Sequence, residues 1–363
     1  MKVKSICILG GGTSGFAMSA ALARYRELSG IDFDIQVVYS KSIGSIGVGE
    51  STILEINKLL DYLGLEDKDW MKECNATYKT SIRFEDFYKK GRYFHYPFGE
   101  INKERNNPSV LNEWFIKKDT FPDIYTPERA ATFFIPHTIL AEKNKLFNNS
   151  DYDLKKNTAY HFDSHLLGKF LEKYSKKREV KVVEDNFYGI SPHEDGSIKS
   201  LVCDRDIYSA DLFIDCSGFR SLLLGTMMGE KYIPYSDTLI NNKVLRAEIP
   251  YKNKEKELKN YTNCVALKNG WCWEIPLWDK MSVGYVHTNR FADEKEIEQE
   301  FFEHVGEVEY DTIEFKTGRY ERGWVKNVVA VGLSYGFVEP LESTGIATTV
   351  SYTHLTLTTI LLV

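Results

Sequence analysis

Residues 3–15 read Val3-Lys4-Ser5-Ile6-Cys7-Ile8-Leu9-Gly10-Gly11-Gly12-Thr13-Ser14-Gly15, and this stretch decides the fold. The apolar, β-branched run over 3–9 predicts a buried strand. It ends in G-x-G-x-x-G, and residues 14–28 predict a helix stopped by Ser29-Gly30. A second strand is expected over 35–39, which completes a βαβ opening. In that setting Gly10 allows the tight turn, Gly12 lets the backbone approach a pyrophosphate, and Gly15 lets helix pack on strand. The helix N-terminus then offers its N–H groups to the anion. The acid expected on the ribose hydroxyl is missing, because the second strand ends Val37-Val38-Tyr39-Ser40.

The 363 residues suit two structural units, or one large unit with a second layer built into it. With 43% hydrophobic and 27% charged residues, disorder and coiled coil are set aside. A net charge of -6 gives no footprint for nucleic acid or an anionic membrane. No apolar stretch approaches the ~18 residues of a membrane span, and the short run at 5–9 ends in glycines too soon for a signal peptide. The six cysteines are far apart, with no CxxC pair, which reads as reduced buried thiols in the cytoplasm. There is no internal repeat and no long linker, so a second domain is expected to be interleaved with the first. Further buried strands are expected at 180–183, 212–215 and 328–331. The aromatic-rich stretches 84–98 and 271–278 lack that pattern.

Two more glycine elements, Gly47-Val48-Gly49-Glu50-Ser51-Thr52 and Asp215-Cys216-Ser217-Gly218, suit a flavin better than a nicotinamide. Other strings are Tyr78-Lys79-Thr80 with Ile82-Arg83-Phe84, Tyr160-His161-Phe162-Asp163, Trp271-Cys272-Trp273-Glu274-Ile275-Pro276, and Gly336-Phe337-Val338-Glu339-Pro340-Leu341-Glu342-Ser343-Thr344-Gly345-Ile346. Together these resemble the flavin-dependent halogenases of the tryptophan halogenase type. The W-x-W-x-I-P string discriminates, since flavin monooxygenases share the glycine motif without it.

The resemblance implies an α/β fold: a Rossmann-like FAD-binding domain of the flavin monooxygenase type with an interleaved substrate-binding layer. The FAD-binding segments would be 1–80, 155–225 and 323–349, and the substrate segments 81–154 and 226–322. It implies that reduced FAD, oxygen and a halide (chloride or bromide) give hypohalous acid. Lys79 would take this up and deliver halogen to an indole or other electron-rich aromatic. Lysine suits the task because it donates when charged and is a nucleophile when neutral, which arginine cannot be. Glu342 would accept the ring proton, with Glu339 the competing carboxylate. Thr344 and Gly345 would hold the halide. Gly10, Gly12, Thr13, Ser14, Gly15, Tyr39, Glu50, Ser51, Gly332, Leu333 and Ile346 would surround the flavin. Trp271 and Trp273, two residues apart on one strand face, would wall a tunnel, and His95 and Phe98 would line the substrate site. The implied partners are a small aromatic substrate and a separate flavin reductase.

His161 and His165 have a metal-ligand spacing if helical, but no glutamate follows His161, so no metal is expected. An aromatic monooxygenase and an inactive flavin-binding fragment are the alternatives. From about Val350 the string VSYTHLTLTTILLV departs from the family pattern, so residues 350–363 are expected to be a non-native tail in place of a C-terminal helical region.

Overall fold

Strand Ser5–Leu9 lies inside a six-stranded sheet, between Leu212–Asp215 and Asp34–Tyr39. The full order is Trp324–Val325, Val328–Ala330, Leu212–Asp215, Ser5–Leu9, Asp34–Tyr39, Lys181–Glu184. All neighbours are parallel except the first pair, and Ile8 registers with Ile214 on one side and Val37 on the other. The computed structural model describes residues 3–43, 49–99, 101, 108–147, 152–347 and 349–350. Near-continuous apolar runs such as Ile6 to Leu9 and Leu212 to Ile214 are buried on both faces, as a parallel sheet requires. Helix Thr13–Ser29 covers one face, with Phe16 to Ala23 buried, and Gly30 ends it in the left-handed region at φ 67°. It packs on helix Ser164–Lys176, where Ser19 and Ser175 share a hydroxyl hydrogen bond of 2.6 Å. The α/β class and the Rossmann-like parallel core are those the sequence predicts; the face opposite the helices packs on Ile198, Leu201 and Tyr208 of a small three-stranded sheet.

A second sheet of seven strands runs Asp311–Glu314, Lys243–Pro250, Lys280–His287, Gly270–Pro276, Thr262–Ala266, Ser81–Glu85, Tyr93–Pro97. It is antiparallel apart from the Thr262–Ala266 and Ser81–Glu85 pair. The aromatic stretches that lack a strand pattern in the sequence are thus strands. Their rings pack across the sheet, as Phe84 does on Phe94 at 5.1 Å, in place of β-branched side chains.

A three-stranded sheet, Gly49–Ser51, Ala159–Asp163 and Thr77–Lys79, connects the two large ones. Gly49 packs against the second sheet so closely that a Cβ there would stand 2.5 Å from Ser282 Cβ. The chain leaves this small sheet at Lys79, hydrogen-bonds through Thr80 N to the Asn260 carbonyl, and enters the seven-stranded sheet at Ser81. Lys79 therefore stands where the two layers meet. All six cysteines are buried and free of disulfides. Among the described residues no helix is long and apolar enough to cross a membrane.

Candidate active site

The glycine loop is shaped by close backbone approach. Gly10 has φ 122°, and a Cβ on it would meet the Cys216 carbonyl oxygen at 2.2 Å. A Cβ on Gly15 would meet the Gly10 carbonyl oxygen at 2.0 Å. These two glycines therefore serve the crossing of the loop with strand Leu212–Asp215 and its own helix. Gly12 differs: among the described residues no atom beyond its chain neighbours lies within 4 Å of where its Cβ would stand, and no side chain caps the helix it precedes. An approachable backbone at an uncapped helix N-terminus fits a pyrophosphate. Thr13 spends its hydroxyl on the Ser164 carbonyl at 2.8 Å. Ser14 bonds Thr349 at 3.1 Å, and Gly332, at φ 66°, would bring a Cβ within 2.5 Å of Ser14 Oγ. Gly332 and Leu333 thus come to the same helix start, and Ile346 belongs to the core under that helix.

Tyr39 holds the place of the missing acid. Its ring lies over Gly11, where a Cβ would clash at 2.5 Å, and meets Phe16 edge-on at 5.9 Å. Asp215 also does something more local than its motif suggests. Its buried carboxylate accepts from Ser217 N and Oγ and from the N–H groups of Leu223 and Leu224, capping the π-helical turn Leu222–Met227.

The chamber around Lys79 is of another kind. Lys79 has no exposed surface, and its Nζ donates to the Thr52 carbonyl at 2.8 Å and to Ser343 Oγ at 3.0 Å. The Phe98 ring centroid is 5.2 Å away. Burial disfavours the ammonium and brings the amine down to about 7, against the opposing pull of Cys264 and Glu50. Loss of solvent around the Glu50 carboxyl raises it to about 7, opposed by Lys79. Glu50 reaches the Thr344–Gly345 turn, with a Gly345 Cβ position 3.3 Å from its Oε1. The turn is set by Ser343, held at φ 60°.

Ser51, expected at the flavin, has its hydroxyl committed to this chamber, 3.0 Å from Ser343 Oγ and 2.6 Å from Thr262 Oγ1. Thr262 continues to His161 Nε2 at 2.9 Å, and His161 Nδ1 meets Thr77 Oγ1 at 2.9 Å. Thr262, His161 and Thr77 are not among the residues that the sequence assigns to the site, and Ser343 enters it there only through its backbone, in the turn with Thr344 and Gly345. The signal for His161 was its motif string, but nothing local indicates that a histidine on one strand reaches a lysine on the next through residues 51, 262 and 343. His161 lies on a strand and His165 in helix Ser164–Lys176, so their four-residue spacing is not helical.

Trp271 and Trp273 lie on one strand with centroids 6.1 Å apart and are both buried. They share a cluster with Cys264, whose thiol burial pushes up to about 12. Glu339 accepts from Trp271 Nε1 at 2.9 Å and from Asn241, so that carboxylate is already engaged. The backbone of Glu342 ends the 3₁₀ turn Pro340–Glu342; its side chain, and residues 44–48 and 351–363, lie outside the described residues. Phe98 is drawn to the lysine, whereas His95 bonds Ser81 Oγ at 2.8 Å and faces Tyr261 at 5.3 Å. Burial, with Arg83 nearby, lowers His95 to about 4.

The tryptophan halogenase family profile matches residues 5–361. Among characterised proteins, tryptophan 6-halogenase SttH from Streptomyces toxytricini is 34% identical over 364 residues, covering 94% of this chain and 69% of SttH. Tryptophan 7-halogenase RebH from Lentzea aerocolonigenes is 33% identical, covering 95% of this chain and 68% of RebH. Among solved structures, VirX1 in its apo form superimposes with a TM-score of 0.92 at 40% identity, over 99% of this chain and 70% of VirX1. Crystalline SttH gives a TM-score of 0.89. The profile spans both sheets and every strand that meets at Lys79, and on that evidence the chain belongs to the tryptophan halogenase family.

Proposed function

We propose that the chain is an FAD-dependent halogenase of indoles, tryptophan-like compounds or other electron-rich aromatics, working in the cytoplasm with reduced flavin supplied by a separate reductase. The observation that carries this reading is Lys79: a fully buried amine, held by two acceptors and brought down to about 7. A surface lysine stays charged at neutral pH, whereas this one divides between donor and nucleophile.

When bound, reduced FAD supplies with oxygen the two-electron oxidation of halide to hypohalous acid. Gly10, Gly12 and Gly15 with the start of helix Thr13–Ser29 would hold its pyrophosphate, Tyr39 and Glu50 its flanks, and Gly332, Leu333 and Ile346 its ring system. Thr344 and Gly345 would hold the halide. The charged form of Lys79 holds hypohalous acid by hydrogen bonding; the neutral form displaces hydroxide from halogen, giving a haloamine and water. Phe98 bounds the position from which halogen leaves for the aromatic ring. Trp271 and Trp273 keep the substrate apart from the flavin, His95 supports the substrate side, and Glu342 accepts the proton lost from the ring.

The test supplies the full chain with FAD, a reductase, oxygen and bromide or chloride over a panel of indoles and phenols, read by mass spectrometry. A halogenated product is expected, and Lys79→Ala abolishes it while flavin oxidation continues. An oxygenated product that forms without halide, or no product with FAD demonstrably bound, overturns the reading.

A further inference from the structure

The hydroxyls between Lys79 and His161 have a proton order that the geometry fixes from its far end. Thr77 has one hydroxyl proton, and this goes to the Pro276 carbonyl at 2.6 Å. Thr77 Oγ1 therefore accepts from His161, which must donate from Nδ1. A neutral imidazole with its proton on Nδ1 has a bare Nε2, so Thr262 donates to it across 2.9 Å. With that proton spent, Thr262 accepts from Ser51 and Ser51 from Ser343. Ser343 accepts from Lys79 Nζ. All six side chains are buried.

We propose that His161, as the neutral Nδ1–H tautomer, is a positioning residue for halogenation: through Thr262, Ser51 and Ser343 it fixes the direction of the Lys79 lone pair. The proposal rests on the reading of Lys79 as the halogen-carrying amine. A neutral amine has two N–H bonds and one lone pair. The two bonds go to the Thr52 carbonyl and to Ser343 Oγ, both of which can only accept. The lone pair then faces away from both, toward the incoming oxidant.

A second proton on His161 reverses everything. Nε2 would donate to Thr262, each hydroxyl would turn round, and Ser343 would donate into the lone pair and block the nucleophile. Burial, and then the charge on Lys79, hold the imidazole well below its ordinary range, which keeps the productive order in place. The remaining groups acting on the lysine, Cys264 and Glu50, favour its charged form.

Two measurements on the full chain with FAD bound test this. In NMR of ¹⁵N-histidine-labelled protein, assigned by loss of one signal in His161→Gln, His161 should show a protonated Nδ1 and a bare Nε2 at neutral pH. An Nε2–H tautomer or an imidazolium overturns the proposal. Thr262→Val removes the central hydroxyl at nearly constant volume and should lower kcat for halogenation ~10-fold or more. KM for the aromatic and the rate of flavin oxidation should hold, hypohalous acid should escape to a solution trap, and Thr262→Ser should restore kcat. Equal kcat in the valine and serine variants overturns it. If the valine variant fails to fold, shown by loss of FAD binding, the tautomer measurement decides alone. A wrong reading of Lys79 shows differently, as halogenation that continues in Lys79→Ala whatever the tautomer.

Discussion

The glycine loop and the Lys79 chamber are both crossings of distant segments, made from opposite materials. At Gly10 and Gly15 the crossing depends on missing side chains, since two backbones pass where a single Cβ would stand about 2 Å from a carbonyl oxygen. At Lys79 it depends on polar side chains present and satisfied: six residues from five separate segments, each with a partner, around a group that is costly to bury. The first arrangement concerns shape and the second concerns protons. Perturbing the loop should therefore cost folding and cofactor binding, whereas perturbing the chamber should cost chemistry while leaving the fold standing.

Gly10→Ala should show the largest effect on stability. Its Cβ would enter the Cys216 carbonyl from a backbone at φ 122°, so a loss of about 4 kcal/mol or more is expected, with FAD binding lost. Chemical denaturation and flavin fluorescence read both, and a variant that binds FAD normally would break the contrast. Gly284→Ala comes next. Gly284 lies under the Trp273 indole, where a Cβ would stand 2.1 Å from Cζ2, so the ring must shift. Overpacking of this kind costs about 1–3 kcal/mol. The expected signs are a lower melting temperature and altered tryptophan emission, with FAD affinity retained.

The smallest effect is expected from pH, acting on the Lys79 chamber. Lys79 stands near 7, so the nucleophilic amine is the minor form below that pH and the major form above it. The single-turnover halogenation rate should rise about tenfold per pH unit on the acid side and level off above 7. Glu50 loses its proton over the same range beside Gly345, so the halide KM should worsen as pH rises. Stopped-flow rates at saturating and limiting halide separate the two, and a flat rate between pH 5 and 8 would remove the amine's role.

Much of the cofactor end was legible because it is local. Residues 3–15 carry a strand, a turn whose glycines answer to steric needs, and a helix start, and the observed strand Ser5–Leu9 and helix Thr13–Ser29 differ from expectation by two residues or fewer. The second sheet was less legible, since aromatic cross-strand packing in Tyr93–Pro97 and Gly270–Pro276 replaces the β-branched signal. Ser51 shows the limit for the site. Its motif suggests the flavin, yet its hydroxyl is bound to Thr262 and Ser343, partners that lie more than two hundred residues away in the chain.

The glycine loop, the family and the lysine proposed to carry the halogen are all legible in the sequence, because each is written in contiguous residues whose types the chemistry demands. Only the tertiary structure decided that Lys79 is buried, that Glu339 is tied to Trp271, and that His161 closes a hydroxyl chain behind the amine. Burial, amine acidity and proton order are properties of the enclosing space, and that space exists only once the two sheets have closed on each other.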